Sequence, residues 1–78
     1  MGLETWKKSY TESGDLAREE YWLRGILVKA VIHEPGKKRT EELYKDGELF
    51  LKVFFEGDTR LREEVWSDGS ILRQRSYQ

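Results

Sequence analysis

Three segments of the chain align without a gap: Glu19-Glu20-Tyr21-Trp22-Leu23-Arg24-Gly25, Glu41-Glu42-Leu43-Tyr44-Lys45-Asp46-Gly47 and Glu63-Glu64-Val65-Trp66-Ser67-Asp68-Gly69. The spacing is 22 residues both times. Paired glutamates, an apolar residue, an aromatic and a glycine recur in register, which marks a repeat architecture built from one supersecondary unit. A second glycine opens each unit, at Gly14, Gly36 and Gly57, the last displaced by one position.

Asp46-Gly47 and Asp68-Gly69 are dipeptides suited to a two-residue type I′ hairpin turn, where both residues need positive φ. Arg24-Gly25 is a poorer version, since arginine enters the left-handed region less readily. Each unit therefore reads as a β-hairpin. The segments between units, His33-Glu34-Pro35-Gly36-Lys37 and Glu56-Gly57-Asp58, carry loop residues including the single proline. Strands are expected at 15–23, 26–33, 38–45, 48–55, 59–66 and 70–77, with a seventh, degenerate N-terminal strand at 3–11. A helical reading fails on the recurring glycines and on the Val, Ile, Phe, Tyr and Trp concentrated between them. The expected fold is all-β: an antiparallel meander of three repeated hairpins, 14–35, 36–56 and 57–78, plus the N-terminal strand, forming one curved sheet and a single domain over 1–78.

At 78 residues the chain has room for one modest core. It carries 14 basic and 15 acidic residues for a net charge of -1, so no global basic field collects phosphates. Cysteine is absent, in keeping with a reducing cytoplasm. No apolar run reaches the length of a membrane span, and the start Met1-Gly2-Leu3-Glu4-Thr5-Trp6 lacks the blocks of a signal peptide. The expected location is cytoplasmic.

A two-residue turn with unbroken pairing puts Lys45 opposite Glu48, Tyr44 opposite Leu49, Leu43 opposite Phe50 and Glu41 opposite Lys52. Extended to all units, this register lines up Tyr21, Val28, Leu43, Phe50, Val65 and Leu72, continued by Ala17, Ile32, Phe54 and Leu61, as a core face. The other face carries Trp22, Leu27, Tyr44, Leu49, Trp66 and Ile71, with Glu20, Glu42 and Glu64 beside them. An antiparallel sheet covers one face and solvates the other, so a second apolar row demands curling, a partner or self-association. Trp and Tyr dominate binding hot spots, so this row is the candidate protein-binding surface. Its glutamates favour a partner with a basic or mixed surface. The competing reading packs the aromatics under a curled sheet, or under the N-terminal strand with Trp6 and Tyr10.

Chemistry finds little support. Neighbouring glutamates in a strand point to opposite faces, so Glu19 and Glu20 cannot share a proton. Lys29, Lys52 and Arg73 answer the glutamates as charged ladders. His33 is the only histidine and has no second nitrogen ligand for zinc. No glycine-rich phosphate loop precedes a helix. No catalytic residue, metal or cofactor is expected. Arg60, Arg62, Arg73 and Arg75 make the third hairpin locally basic, with Arg62 facing Arg75 in the unbroken register, and Arg62, Arg73 and Arg75 are the candidate nucleic-acid contacts. Aromatics interleaved with arginines can stack single-stranded nucleic acid, but glutamates border the row at every repeat and disfavour it.

The stretches Arg18-Glu19-Glu20-Tyr21-Trp22-Leu23-Arg24-Gly25, Tyr44-Lys45-Asp46-Gly47-Glu48-Leu49 and Trp66-Ser67-Asp68-Gly69-Ser70-Ile71-Leu72 resemble the MORN-like repeat proteins of bacteria and their viruses, including the YwqK-type antitoxin components. The resemblance spans about residues 14–77. It implies an elongated curved sheet of antiparallel hairpins and a role in protein interaction, with toxin neutralisation one use. The chain lacks the glycine-rich second half of the eukaryotic motif, which removes support for lipid binding. The expected function is a non-catalytic protein-binding module, an antitoxin or immunity-like protein or a phage-encoded inhibitor of the anti-CRISPR kind. A self-assembling homo-oligomer, such as a homodimer, and a single-strand nucleic-acid binder are the alternatives.

Overall fold

A computed structural model describes residues 3–77; Met1, Gly2 and Gln78, at the ends of the expected domain and third repeat, lie outside the described residues. The strands are β1 (Glu4–Tyr10), β2 (Leu16–Leu23), β3 (Ile26–Glu34), β4 (Lys38–Lys45), β5 (Glu48–Glu56), β6 (Thr59–Ser67) and β7 (Ser70–Ser76). They form one seven-stranded antiparallel sheet in chain order, a meander that does not close, with β1 and β7 at its edges. Each strand touches only its neighbours in sequence.

The three hairpin turns take the expected form. Arg24 and Gly25, Asp46 and Gly47, and Asp68 and Gly69 all have positive φ, with the non-glycine residue at 53–54°. The β3–β4 loop also places Gly36 and Lys37 at positive φ.

The register departs from expectation beyond the turns. Trp22 pairs with Leu27, Tyr44 with Leu49 and Trp66 with Ile71, but the next pairs are Tyr21 with Lys29, Leu43 with Leu51 and Val65 with Arg73. Val28, Phe50 and Leu72 are therefore the extra residues of β-bulges at the same place in each hairpin. Leu43 does not face Phe50, Lys52 faces Glu42 in place of Glu41, and Arg62 faces Ser76 while Arg75 faces Glu63. The expected core row is split by these bulges. Tyr21, Leu43 and Val65 lie on one face, while Ile32 and Phe54 alternate onto the other, with Arg18, Thr40 and Arg62 as their partners.

Two further bulges leave Ala17 and Leu61 as extra residues. The displacement of Gly57 follows from the second. The β3–β4 loop has three residues between the paired Glu34 and Lys38, and β3–β4 has no bulge. The β5–β6 loop has only Gly57 and Asp58 between Glu56 and Thr59, and the residue so released is taken up at Leu61. Loop and bulge trade one residue, so the repeat stays at 22 and the glutamates stay in register. The Gly57 N–H bonds the Lys37 carbonyl at 2.9 Å and Arg39 Nη1 donates to the Gly57 carbonyl at 2.8 Å, tying the two loops together.

The sheet is one layer. Among the described residues only Ala30 and Val53 are buried hydrophobics, and no large side chain is fully buried. The radius of gyration is 13.6 Å, against about 11.5 Å for a compact chain of this length. Most side chains at the centre of the sheet are half-buried by their neighbours on the same face. No helix of the described residues is long and apolar enough to cross a membrane.

Candidate functional site

Strand alternation sends the two glutamates of each pair to opposite faces. Glu19, Glu41 and Glu63 share one face, where His33 Nε2 lies 2.8 Å from Glu19 and Arg39 Nε and Lys29 Nζ lie 3.0 and 3.7 Å from Glu41. Arg60 reaches Glu63 at 3.9 Å. Glu20, Glu42 and Glu64 share the other face with the aromatic two residues further along each strand. The Trp22 indole N–H donates to Glu20 at 3.0 Å, the Tyr44 hydroxyl to Glu42 at 2.9 Å and the Trp66 indole N–H to Glu64 at 3.2 Å.

This face thus repeats one unit three times: a carboxylate in the middle strand position and an aromatic ring oriented by its polar edge. Cations complete it. Arg18 Nε donates to Glu20 at 2.7 Å and Arg62 Nη2 lies 3.1 Å from Glu64. Lys52 Nζ sits 3.5 Å from Glu42 and 5.3 Å from the centre of the Trp66 ring, bridging the second and third units. Lys7 of β1 lies 4.7 Å from the centre of the Trp22 ring. The Arg18 hydrogen bond, then that of Trp22, holds the Glu20 carboxyl below its ordinary pKa, and the same bond raises Arg18. Burial, then the bond to Glu42, pushes the Tyr44 phenol up. Glu64 is 6% exposed, and among the described residues no buried side-chain nitrogen or oxygen lacks a hydrogen-bond partner.

All nine residues expected on the binding face are brought together: Trp22, Leu27, Tyr44, Leu49, Trp66 and Ile71 as the row, Glu20, Glu42 and Glu64 behind it. The glutamates orient the row and are occupied by it. Trp22, Tyr44, Trp66, Leu27 and Leu49 are half-buried, whereas Ile71 is 43% exposed. Trp6 does not cover them. It stacks on Tyr21 at 4.7 Å on the opposite face, because β1 extends the sheet at its edge and crosses neither face.

The three arginines singled out for nucleic acid do not converge. Arg62 lies on the aromatic face, paired with Glu64 and 4.3 Å from the Phe54 ring centre. Arg73 and Arg75 lie on the other face of β7, opposite Val65 and Glu63, and Arg73 does not join a glutamate ladder. Sequence reasoning missed Arg18, Lys7, and the partners Arg39, Phe55 and Tyr77, and read Arg60 only as part of the basic third hairpin. Arg39 lies 4.1 Å from the Phe55 ring centre, and Arg60 and Arg75 lie 5.6 and 5.3 Å from that of Tyr77. Arg18 and Arg62 occupy the same repeat position, the one signal that could have found Arg18. Among the described residues no group of three or more His, Cys, Asp or Glu side chains is placed to hold a metal ion.

No family model, curated protein or solved structure matches the chain.

Proposed function

We propose that the chain is a non-catalytic protein-binding module that masks a partner's surface with the face bearing Trp22, Leu27, Tyr44, Leu49, Trp66 and Ile71. In keeping with its resemblance to MORN-like repeats, it is an antitoxin or immunity-like protein, or a phage-encoded inhibitor of the anti-CRISPR kind. One observation carries the reading: a single-layer sheet presents an ordered aromatic row that, among the described residues, no second layer of the chain covers, only same-face side chains such as Lys7 and Lys52 lying against its rings. The accessible surface is 5,906 Å², where a compact chain of this mass exposes about 5,000 Å². The surplus of roughly 900 Å² is close to the area of about 800 Å² that each partner contributes to a standard interface. The rings are held by hydrogen bonds before any partner arrives, so little side-chain entropy is lost on binding.

The same surplus supports self-assembly as a second reading, with one copy's row covered by another's. Affinity capture of the tagged chain from its host lysate after nuclease treatment, paired with a Trp22→Ala/Trp66→Ala variant, separates the two. A stoichiometric protein lost in a variant that keeps its β-sheet circular dichroism, and rebinding when both are purified, is the expected result. Recovery of the chain alone as a defined oligomer replaces the first reading with the second. Loss of the β-sheet signal in the variant makes the row structural and removes both.

A further inference from the structure

Every interior odd-numbered strand is flanked by strands carrying the Glu-Glu pair, and β7 has such a neighbour on one side only. On β3, Lys29, Ala30, Val31 and Ile32 pair with Leu43, Glu42, Glu41 and Thr40 of β4. On β5, Leu51, Lys52, Val53 and Phe54 pair with Val65, Glu64, Glu63 and Arg62 of β6. One repeat later the same positions are Arg73, Gln74, Arg75 and Ser76, and their outer edge is unpaired. The position that meets the first glutamate of an incoming strand is valine in the interior, Val31 and Val53, and arginine at the edge, Arg75. Arg73 stands two residues away on the same face. Among the described residues neither lies within ion-pairing distance of a carboxylate, because Glu63, opposite Arg75, is turned to Arg60.

The backbone is set to receive a strand. The Tyr77 N–H bonds inward to the Leu61 carbonyl at 2.9 Å. Alternation then turns the main-chain groups of Arg73 and Arg75 toward β6, and those of Gln74 and Ser76 outward. The whole of β7 is exposed, with Leu72 at 69% and Ile71 at 43%. From this we infer that the β7 edge is a strand-addition site for an acidic extended segment of a partner protein, with two adjacent carboxylates followed by an apolar residue and an aromatic. The first carboxylate meets Arg75 with Arg73 beside it, the second meets Gln74 on the opposite face, and Gln74 and Ser76 supply the main-chain hydrogen bonds. A second copy is a poor occupant. Its Glu-Glu strands are all interior, and its edges offer Lys7 and Lys8 with the single Glu4, or Arg73 and Arg75, so neither edge presents the paired carboxylates and a β7–β7 pairing with Arg73 opposite Arg75 sets like charges together. This surface is distinct from the aromatic row and stands or falls independently of it.

The probe is a synthetic peptide with the sequence of residues 57–68, titrated into isotope-labelled full-length protein. The expected result is saturable binding that weakens with salt, slows amide exchange at Gln74 and Ser76 at least tenfold, and leaves the Trp22 and Trp66 indole signals in place. Arg73→Glu/Arg75→Glu lowers the affinity at least tenfold. It also shifts preference to a peptide whose two glutamates are replaced by lysine. Arg73→Gln/Arg75→Gln, checked by circular dichroism, gives the intermediate loss should the charge reversal disturb the strand. Equal affinity for wild type and the reversed variant, protection of β1 amides in place of β7, or a wild-type dimer dissociated by the arginine changes each overturns the inference. So does the absence of binding, which leaves Arg73 and Arg75 as guards against edge aggregation.

Discussion

Arg24 is the least suitable residue in any of the hairpin turns. It holds φ 54° where the other two units place aspartate at nearly the same angle, and the left-handed region costs an ordinary side chain about 1 kcal/mol. Arg24→Asn keeps the backbone N–H that bonds the Leu3 carbonyl and is expected to stabilise the fold by about 0.5–1 kcal/mol, read as a higher urea midpoint. The glutamate pairs give a sharper contrast. Glu64→Ala strands the Trp66 indole N–H and the Arg62 guanidinium and should cost about 1–3 kcal/mol. Its neighbour Glu63, whose partner Arg60 is half exposed, should cost no more than about 0.5 kcal/mol on the same substitution. Glu20 adds a pH dependence. Its folded pKa is lowered by Arg18, so the ionised carboxylate stabilises fully above the unfolded value of about 4.3. That stability is lost as pH falls through the folded value. The stability gap between wild type and Glu20→Gln should therefore be open at pH 7 and narrow progressively as pH falls below the unfolded value, in urea titrations. At this scale the turn residues and the two-faced glutamates were legible from local rules. The Glu-to-aromatic hydrogen bond was present in the sequence as a two-residue spacing, but only same-face geometry gives that spacing a meaning.

The strands begin and end within one or two residues of where glycine and aspartate placed them, since turn chemistry acts locally and needs no knowledge of the sheet. The pairing beyond each turn was not legible. Val28, Phe50 and Leu72 are apolar, as a residue paired in register would be, so the sequence carries no mark that they are extra. Their recurrence at one place in every hairpin adds right-handed twist at a fixed point of each repeat and moves Lys52 beside Glu42 and Glu64. Deleting Leu72 distinguishes the two registers. With the bulge, its removal leaves Trp66 with Ile71, Val65 with Arg73 and Glu64 with Gln74 still opposed. The variant should then fold with a stability change of about 1 kcal/mol or less and keep the cross-strand Hα contact between residues 64 and 74. In an unbroken register the same deletion would slip every later pair and turn Arg73 and Arg75 to the other face.

Two apolar rows told of a surplus face without saying how the molecule disposes of it, because curling, a second layer and an open sheet all satisfy the same alternation. The sheet stays open, and with contacts only between successive strands its stability is a sum over neighbours, as in a linear repeat array. The buried residues lie in β3, β4, β5 and β6, at Ala30, Thr40, Val53 and Glu64, while β1 and β7 are exposed along their whole length. Opening should therefore start at both edges and travel inward. Native-state hydrogen exchange is expected to give the greatest protection in β4 and β5, declining stepwise to β2 and β6, with β1 and β7 least protected. Equal protection of all seven strands would mean that the free chain already opens as one unit, and a neighbour-sum description would fail. The aromatic row crosses from β2 to β7, so a partner seated on it bonds every repeat to a common surface. Its binding should flatten the gradient and raise protection at both ends together, whereas a strand added at β7 should raise protection there first and leave β1 as it was.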